Sequence, residues 1–345
     1  MVNQFSRFEH KSLEPSPVTR RKFVKVAGVA AAAATLPSVT SAGIKKEQTA
    51  ETHVEKLYKS LSDSQKSAVC FDWEHTAHGG VLRKHVSNNW QITKPTVTSD
   101  FFTNDQQELI EAIYFGLYNP DWHDRMLKQL KDDAGGYGKK QSIAIFGTPG
   151  SEKFQFVMTG RHLTIRCDGN SAEHLAFGGP IFYGHAAQGF NEKPDHPGNV
   201  FWSQALKANA LFEMLDGKQR KQALIAKAPK EREVHFRGSK GEFPGIPVAD
   251  LATDQQAHVQ KVLKSLLEPY RLSDQKEAVQ CLDAQGGLNK CSISFYQSGD
   301  LGNDKVWDVW RLEGPSFVWH YRGSPHVHVW ANVANDPSVK ITTQG

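Results

Sequence analysis

His326 and His328 stand one residue apart in Pro325-His-Val-His-Val-Trp330, a stretch that reads as a strand. The period of two in a strand places both imidazoles on one face. Two such rings on a rigid element can share a metal ion, and imidazole nitrogen suits zinc, copper, iron and nickel. His162 opens a second extended stretch, His162 to Cys167, in which His162, Thr164 and Arg166 alternate against Leu163 and Ile165. Its polar face can approach that of His326 and His328. A fourth imidazole, His185, ends another extended run and leads into Gly189-Phe-Asn-Glu192-Lys-Pro-Asp195-His196, dense in carboxylates and imidazoles. Together His162, His185, His326 and His328 supply enough nitrogen donors for a copper or zinc centre, with Glu192 as the candidate acid/base or extra ligand. The competing explanation is hydrogen bonding: histidines satisfied on a sheet face, and a polar loop whose Asp195 and Asn199 cap turns and a helix.

A different class of function is also open. Trp307, Trp310, Trp319 and Trp330 crowd the C-terminal strands and could line a site for an apolar or carbohydrate ligand in a binding protein without catalysis. Trp307 and Trp310 fall on opposite strand faces, and a ligand platform needs at least two accessible rings. The sequence holds no nucleophile elbow, phosphate-binding glycine loop, dinucleotide fingerprint or haem attachment motif.

The elements that would position these residues read as α+β. Leu61-Ser-Asp-Ser-Gln65, Thr103-Asn-Asp-Gln106, Leu215-Asp-Gly-Lys-Gln219, Leu251-Ala-Thr-Asp-Gln255 and Leu272-Ser-Asp-Gln275 each put a capping residue ahead of an apolar helical pattern. Their irregular spacing argues against a solenoid. Extended segments fall in two groups: Ser142 to Phe146, Lys153 to Met158, His162 to Cys167 and Phe177 to Tyr183, then Ser292 to Gln297, Val306 to Leu312, Phe317 to Tyr321 and His326 to Val333. Connections as short as Gly314-Pro315 permit hairpins and forbid parallel crossovers. The expected architecture is a largely antiparallel sheet with a C-terminal β-meander, packed with several α-helices. Lys227 to Val248, basic and rich in Gly and Pro, reads as an exposed loop or linker, and a loop within a single domain spanning 43–345 is favoured.

Arg20-Arg21-Lys22-Phe23 precedes an apolar stretch, Val24 to Leu36, of thirteen residues with an alanine run. That is short of the roughly 20 residues a membrane-spanning helix needs. With Thr40-Ser41-Ala42 after it, the segment 1–42 reads as a twin-arginine signal peptide cleaved near Gly43. The expected partners are then the twin-arginine translocation machinery and signal peptidase, and the expected location is the periplasm. No later segment is apolar enough to span a membrane, so no transmembrane helix is expected in the mature chain. The formal charge of +4 includes the basic signal, which leaves a nearly neutral remainder and argues against nucleic-acid binding. Of the four cysteines, Cys281 and Cys291 flank a Gly-Gly turn where a disulfide is open to them, while Cys70 and Cys167 read as small buried residues.

Several phrases add up: Gly160-Arg-His-Leu-Thr-Ile-Arg166, Phe177-Gly-Gly-Pro-Ile-Phe-Tyr-Gly-His185, Leu215-Asp-Gly-Lys-Gln-Arg220, Trp310-Arg-Leu-Glu-Gly-Pro-Ser-Phe-Val-Trp319 and Pro325-His-Val-His328. Together they resemble the family catalogued as domain of unknown function number thirty-five hundred. The resemblance runs from the Leu61 helix start to Asn332. Members usually show Gly-His-His-Leu where this chain has Gly160-Arg161-His162-Leu163. The resemblance implies kinship and carries no activity with it.

Overall fold

The computed structural model describes residues 49–151, 153–188, 198–300 and 306–344. The segment read as a signal peptide lies outside them. Eight α-helices are described: α1 (Ala50–Ser60), α2 (Asp63–Val69), α3 (Asn104–Gly116), α4 (His123–Ala134), α5 (Trp202–Met214), α6 (Gly217–Ala223), α7 (Thr253–Leu267) and α8 (Leu272–Ala284). None is long and apolar enough to cross a membrane.

The capping phrases do start helices. Ser62, Thr103 and Asp216 each accept a backbone N–H through the side chain, and a glutamine three residues on reaches back to the cap's own N–H. At α7 the cap is Ala252, which has no acceptor to offer, so only the return bond from Gln255 is made. Helix α8 begins at Leu272, before the Ser-Asp pair, with Arg271 as its cap. The capping glutamines also bridge helix starts: Gln65 Nε2 donates to Gln106 Oε1 at 2.8 Å, and Gln219 Nε2 to Gln255 Oε1 at 2.9 Å.

Eleven strands form one sheet: β1 (Cys70–Phe71), β2 (Ser142–Gly147), β3 (Phe154–Gly160), β4 (Leu163–Cys167), β5 (Ile181–His185), β6 (Leu224–Ile225), β7 (Ile246–Pro247), β8 (Ser292–Tyr296), β9 (Val309–Gly314), β10 (Phe317–Arg322) and β11 (Val327–Val333). Their order is β1-β2-β3-β4-β5-β11-β10-β9-β8-β7, with β6 also on β8. Pairing is antiparallel except at β1–β2 and β6–β8. The fold is α+β, and β8 to β11 form the meander expected from their short turns. The two strand groups join edge to edge through β5 and β11, centred on the pair Tyr183↔Val329.

This order exposes a duplication that the irregular helix spacing hides. The series α1-α2-β1-α3-α4-β2-β3-β4-β5 recurs as α5-α6-β6-α7-α8-β8-β9-β10-β11. In both halves a two-residue strand after the second helix pairs in parallel with the first long strand. Both carry the glutamine bridge, and both repeat local phrases: Asn104-Asp-Gln-Gln107 against Thr253-Asp-Gln-Gln256, Asp133-Ala134 against Asp283-Ala284, Ser142-Ile143 against Ser292-Ile293. The approximate two-fold axis passes through the β5–β11 seam.

One face of the sheet is apolar and covered by helices: Leu163, Tyr183, Trp310, Trp319, Tyr321 and Val329 all join the main core. The other is polar yet buried, because two long connections lie across it. Trp90 Nε1 donates to Thr164 Oγ1 at 3.0 Å, and Arg166 donates to the carbonyls of Arg83 and His85. From the second half, Asn332 Nδ2 reaches the Val234 carbonyl, Arg237 pairs with Glu313, and Ser294 donates to the Pro244 carbonyl. The stretch 227–248 is exposed along much of its length, as its composition suggests, but it turns Val234, Ile246 and Val248 inward and lies against the sheet.

Two alternatives that the sequence leaves open are closed by the structure. Trp310, Trp319 and Trp330 are each 0% exposed, so they are core and cannot form an accessible aromatic platform. Trp310 and Trp319 pack against the helices, and Trp330 lies on the other face against Phe182. All four cysteines are free thiols, Cys281 and Cys291 included. Burial pushes both of those thiols up to about 12, so neither ionises readily.

Candidate metal centre

Gly160 pairs with Leu163, leaving Arg161-His162 as a two-residue hairpin turn between β3 and β4. His162 therefore sits at the turn, just before the strand, with φ +56°. A left-handed backbone is costly for a residue with a side chain, and such positions concentrate at functional sites. His328 lies in β11 on the polar face, directly opposite Gly184 of β5. His326 immediately precedes β11 and shares that face by alternation. The three rings converge, with candidate ligand atoms all within 4.8 Å of one another. His328 Nε2 is 3.0 Å from His162 Nε2 and 3.0 Å from His326 Nε2.

The opposite sides of two of these rings decide what the convergence means. His328 Nδ1 is 2.9 Å from Glu231 Oε2, which also accepts from Trp330 Nε1 at 3.1 Å. The other oxygen of Glu231 is salt-bridged to Arg322. His162 Nδ1 is 2.9 Å from Asp133 Oδ2, an ion-pair distance with an angle too oblique for a well-aligned hydrogen bond. Asp133 is itself held by Gln129 Nε2 at 2.8 Å and by the Ala186 N–H at 3.0 Å. The Glu231 carboxylate beside His328 Nδ1 keeps the proton there and turns the lone pair of His328 Nε2 toward the other two rings. At 3.0 Å from both His162 Nε2 and His326 Nε2, that lone pair accepts an N–H from one of them or shares a cation with them.

Burial sets the charge states. It drives His328 down to about 3, outweighing the Glu231 hydrogen bond that favours the cation, so the ring is neutral. Burial alone would raise the Glu231 carboxyl, but the hydrogen bond from His328 and the charges around it hold it well below the usual range. Asp133 follows the same pattern, burial opposed chiefly by the His162 contact. A neutral imidazole backed by an ionised carboxylate, as at His328 and Glu231, is the form in which histidine ligates metals.

His185 is not part of the group. Its register opposite Val327 turns it to the helix-covered face. Both of its ring nitrogens are engaged there: Nδ1 accepts the Val200 N–H at 3.0 Å, and Nε2 is 3.0 Å from Asp132 Oδ2. Glu192, with Asp195 and His196, lies outside the described residues. Glu74 and His78 lie beyond the end of α2, outside the converging group. Glu74 pairs with Arg83, while His78 stacks on His85.

Sequence reasoning missed the two carboxylates that hold the rings. Glu231 is one of several charges in Lys230-Glu-Arg-Glu233 and carries no local signal. Asp133 carries a faint one. It sits with Asp132 in the last turn of α4, where negative charge opposes the helix dipole, so partners elsewhere must offset that cost.

The depressed histidines predict an acid-labile fold. His328, brought down to about 3, and His85, brought down to about 4, are joined by His320, held well below its ordinary value by burial and Arg311. Unfolded histidines take protons near pH 6.5 while these stay neutral, so the unfolded state binds more protons as pH falls from there. The thermal midpoint is expected to be flat above about pH 7 and to fall steadily between about 6.5 and 4. A midpoint independent of pH across that window would contradict these burial assignments.

Residues 45–336 match the family model described as Protein of unknown function (DUF3500). No curated protein matches the chain, and no solved structure does. The match spans the helices, the whole sheet and all three converging histidines, and on that ground the chain belongs to the DUF3500 family.

Proposed function

We propose that this protein is a metal-dependent enzyme in which His162, His326 and His328 hold one zinc or copper ion through their Nε2 atoms. The observation that carries the reading is the convergence of three buried imidazoles, their candidate ligand atoms within 4.8 Å of one another, with Glu231 on the far side of His328 and Asp133 beside His162. Three protein nitrogens with a remaining coordination position is the arrangement of catalytic rather than structural sites. A zinc or copper ion there supplies a Lewis acid or a one-electron centre for hydrolytic or redox chemistry. The chain's own contribution is orientation: Glu231 fixes the His328 tautomer, Asp133 lies beside His162 Nδ1, and burial keeps the His328 ring neutral.

The test is elemental analysis of the folded protein from a host supplied with both metals, beside a His326→Ala/His328→Ala variant. Stoichiometric metal that is absent from the variant is expected. A metal-free parent, or a variant that keeps its metal, would sink the proposal.

The same reading extends to location. We propose export of the folded chain by the twin-arginine route, which suits a site whose ligands are only 3–6% exposed and must take their ion as the chain folds. Sequencing of periplasmic protein is expected to begin at Gly43, and an Arg20→Lys/Arg21→Lys variant is expected to remain in the cytoplasm at full length. Unprocessed protein in both cases would refute export.

A further inference from the structure

Helices α7 and α8 enclose an open groove of about 410 Å³ on the side of the molecule built by the second half. Leu263, Leu267, Leu272 and Val279 give it an apolar floor, and Lys264 and Lys276 stand in its lining together with three glutamines and no carboxylate. Leu272 is 63% exposed and Val279 37%, two of five large apolar side chains left so exposed among the described residues. Neither lysine has an ion-pair partner among the described residues. The groove thus joins an apolar floor to two lysines that face no carboxylate.

The duplication supplies an internal comparison. Aligning Asn104-Asp-Gln-Gln107 with Thr253-Asp-Gln-Gln256, and Pro120 with Pro269, sets Tyr114 against Leu263, Phe115 against Lys264 and Tyr118 against Leu267. In the first half Phe115 packs on His123, the first residue of α4, at 4.7 Å. Tyr114 is 0% and Tyr118 4% exposed, and Tyr114 packs on Tyr118 at 5.0 Å and on Tyr137 at 5.4 Å. Gly287 follows α8 roughly where Tyr137 follows α4. One copy of the helix pair is thus closed by its own aromatic side chains, while the other is left open with a lysine in place of a phenylalanine.

We propose that the α7–α8 groove binds an alkyl carboxylate, its chain along the leucine floor between the helices and its carboxylate between Lys264 and Lys276. Recognition by two flexible ammonium groups asks for a compact anion at one end and tolerates variation in the tail.

Titration calorimetry on the full chain tests this, using decanoate, decanol and decyltrimethylammonium below their micelle-forming concentrations. Saturable decanoate binding is expected, at least tenfold weaker for decanol and undetectable for the cation. A Leu263→Tyr/Lys264→Phe variant, which restores the first half's filling, is expected to lose decanoate binding with its thermal midpoint kept or raised. Lys276→Glu alone is expected to weaken binding at least tenfold, and metal content is expected to be unchanged in both variants. Equal affinity for decanol and decanoate, undiminished binding by the filled variant, or no saturable binding by the parent would each overturn the proposal.

Discussion

Glu231→Ala is expected to cost the protein both its metal and about 3 kcal/mol of stability. The carboxylate accepts from His328 Nδ1 at 2.9 Å and Trp330 Nε1 at 3.1 Å, and it balances Arg322. Truncation leaves two donors and a guanidinium without their shared acceptor in a largely buried setting, and unpaired buried charge is the costlier half of any broken pair. It also frees the His328 ring to rotate and to exchange tautomers. Loss of such a carboxylate typically lowers metal affinity about 10- to 100-fold. Glu231→Gln separates the two effects. Its carbonyl can still accept from His328 or Trp330, so much of the stability is expected to survive, while metal affinity falls with the lost charge. Chelator competition for affinity and denaturant unfolding for stability read the two independently. If both variants kept parental metal affinity, Glu231 would have no part in orienting the site.

The second large effect falls on a glycine. A Cβ on Gly184 would lie 2.2 Å from the Val327 carbonyl oxygen and 3.3 Å from His162 Cδ2. The nearer neighbour is backbone of the paired strand and has no rotamer to give. Gly184→Ala must therefore part β5 from β11 where His328 is seated. The expected cost is about 3 kcal/mol, at the upper end for overpacking, with the metal lost as the imidazoles separate. Gly217→Ala is the control: nothing lies within 4 Å of its added Cβ, and it occupies the first turn of α6. There alanine is expected to stabilise by about 0.5 kcal/mol. Equal thermal midpoints for the two variants would show that the seam tolerates a side chain.

The sheet was legible in the sequence because its turns are short and its strands alternate. Segments read from Ser142 to Phe146 and from Ser292 to Gln297 match β2 and β8 to within a residue. The shared face of His326 and His328 follows from the same period. Its meeting with His162 depends on β5 pairing with β11 across 166 residues of sequence between His162 and His328, which no local pattern encodes. Alternation also assigns each tryptophan to a face without saying whether that face is covered. Here both are, one by helices and the other by the long connections, so aromatic rings that read as a platform are interior. His185 shows the same gap: its imidazole belongs to the opposite face by register, and register is visible only once its partner strand is known.

The seam between the two halves has one more implication. His162 and Asp133 come from the first half, while His326, His328 and Glu231 come from the second. Neither half owns a complete set of donors, so occupancy cannot begin until segments far apart in the chain have docked in register. Closing such long loops is slow relative to forming helices and hairpins. An ion taken up here would therefore arrive last and hold the halves together, and its retention would report whether the long-range step of folding has finished.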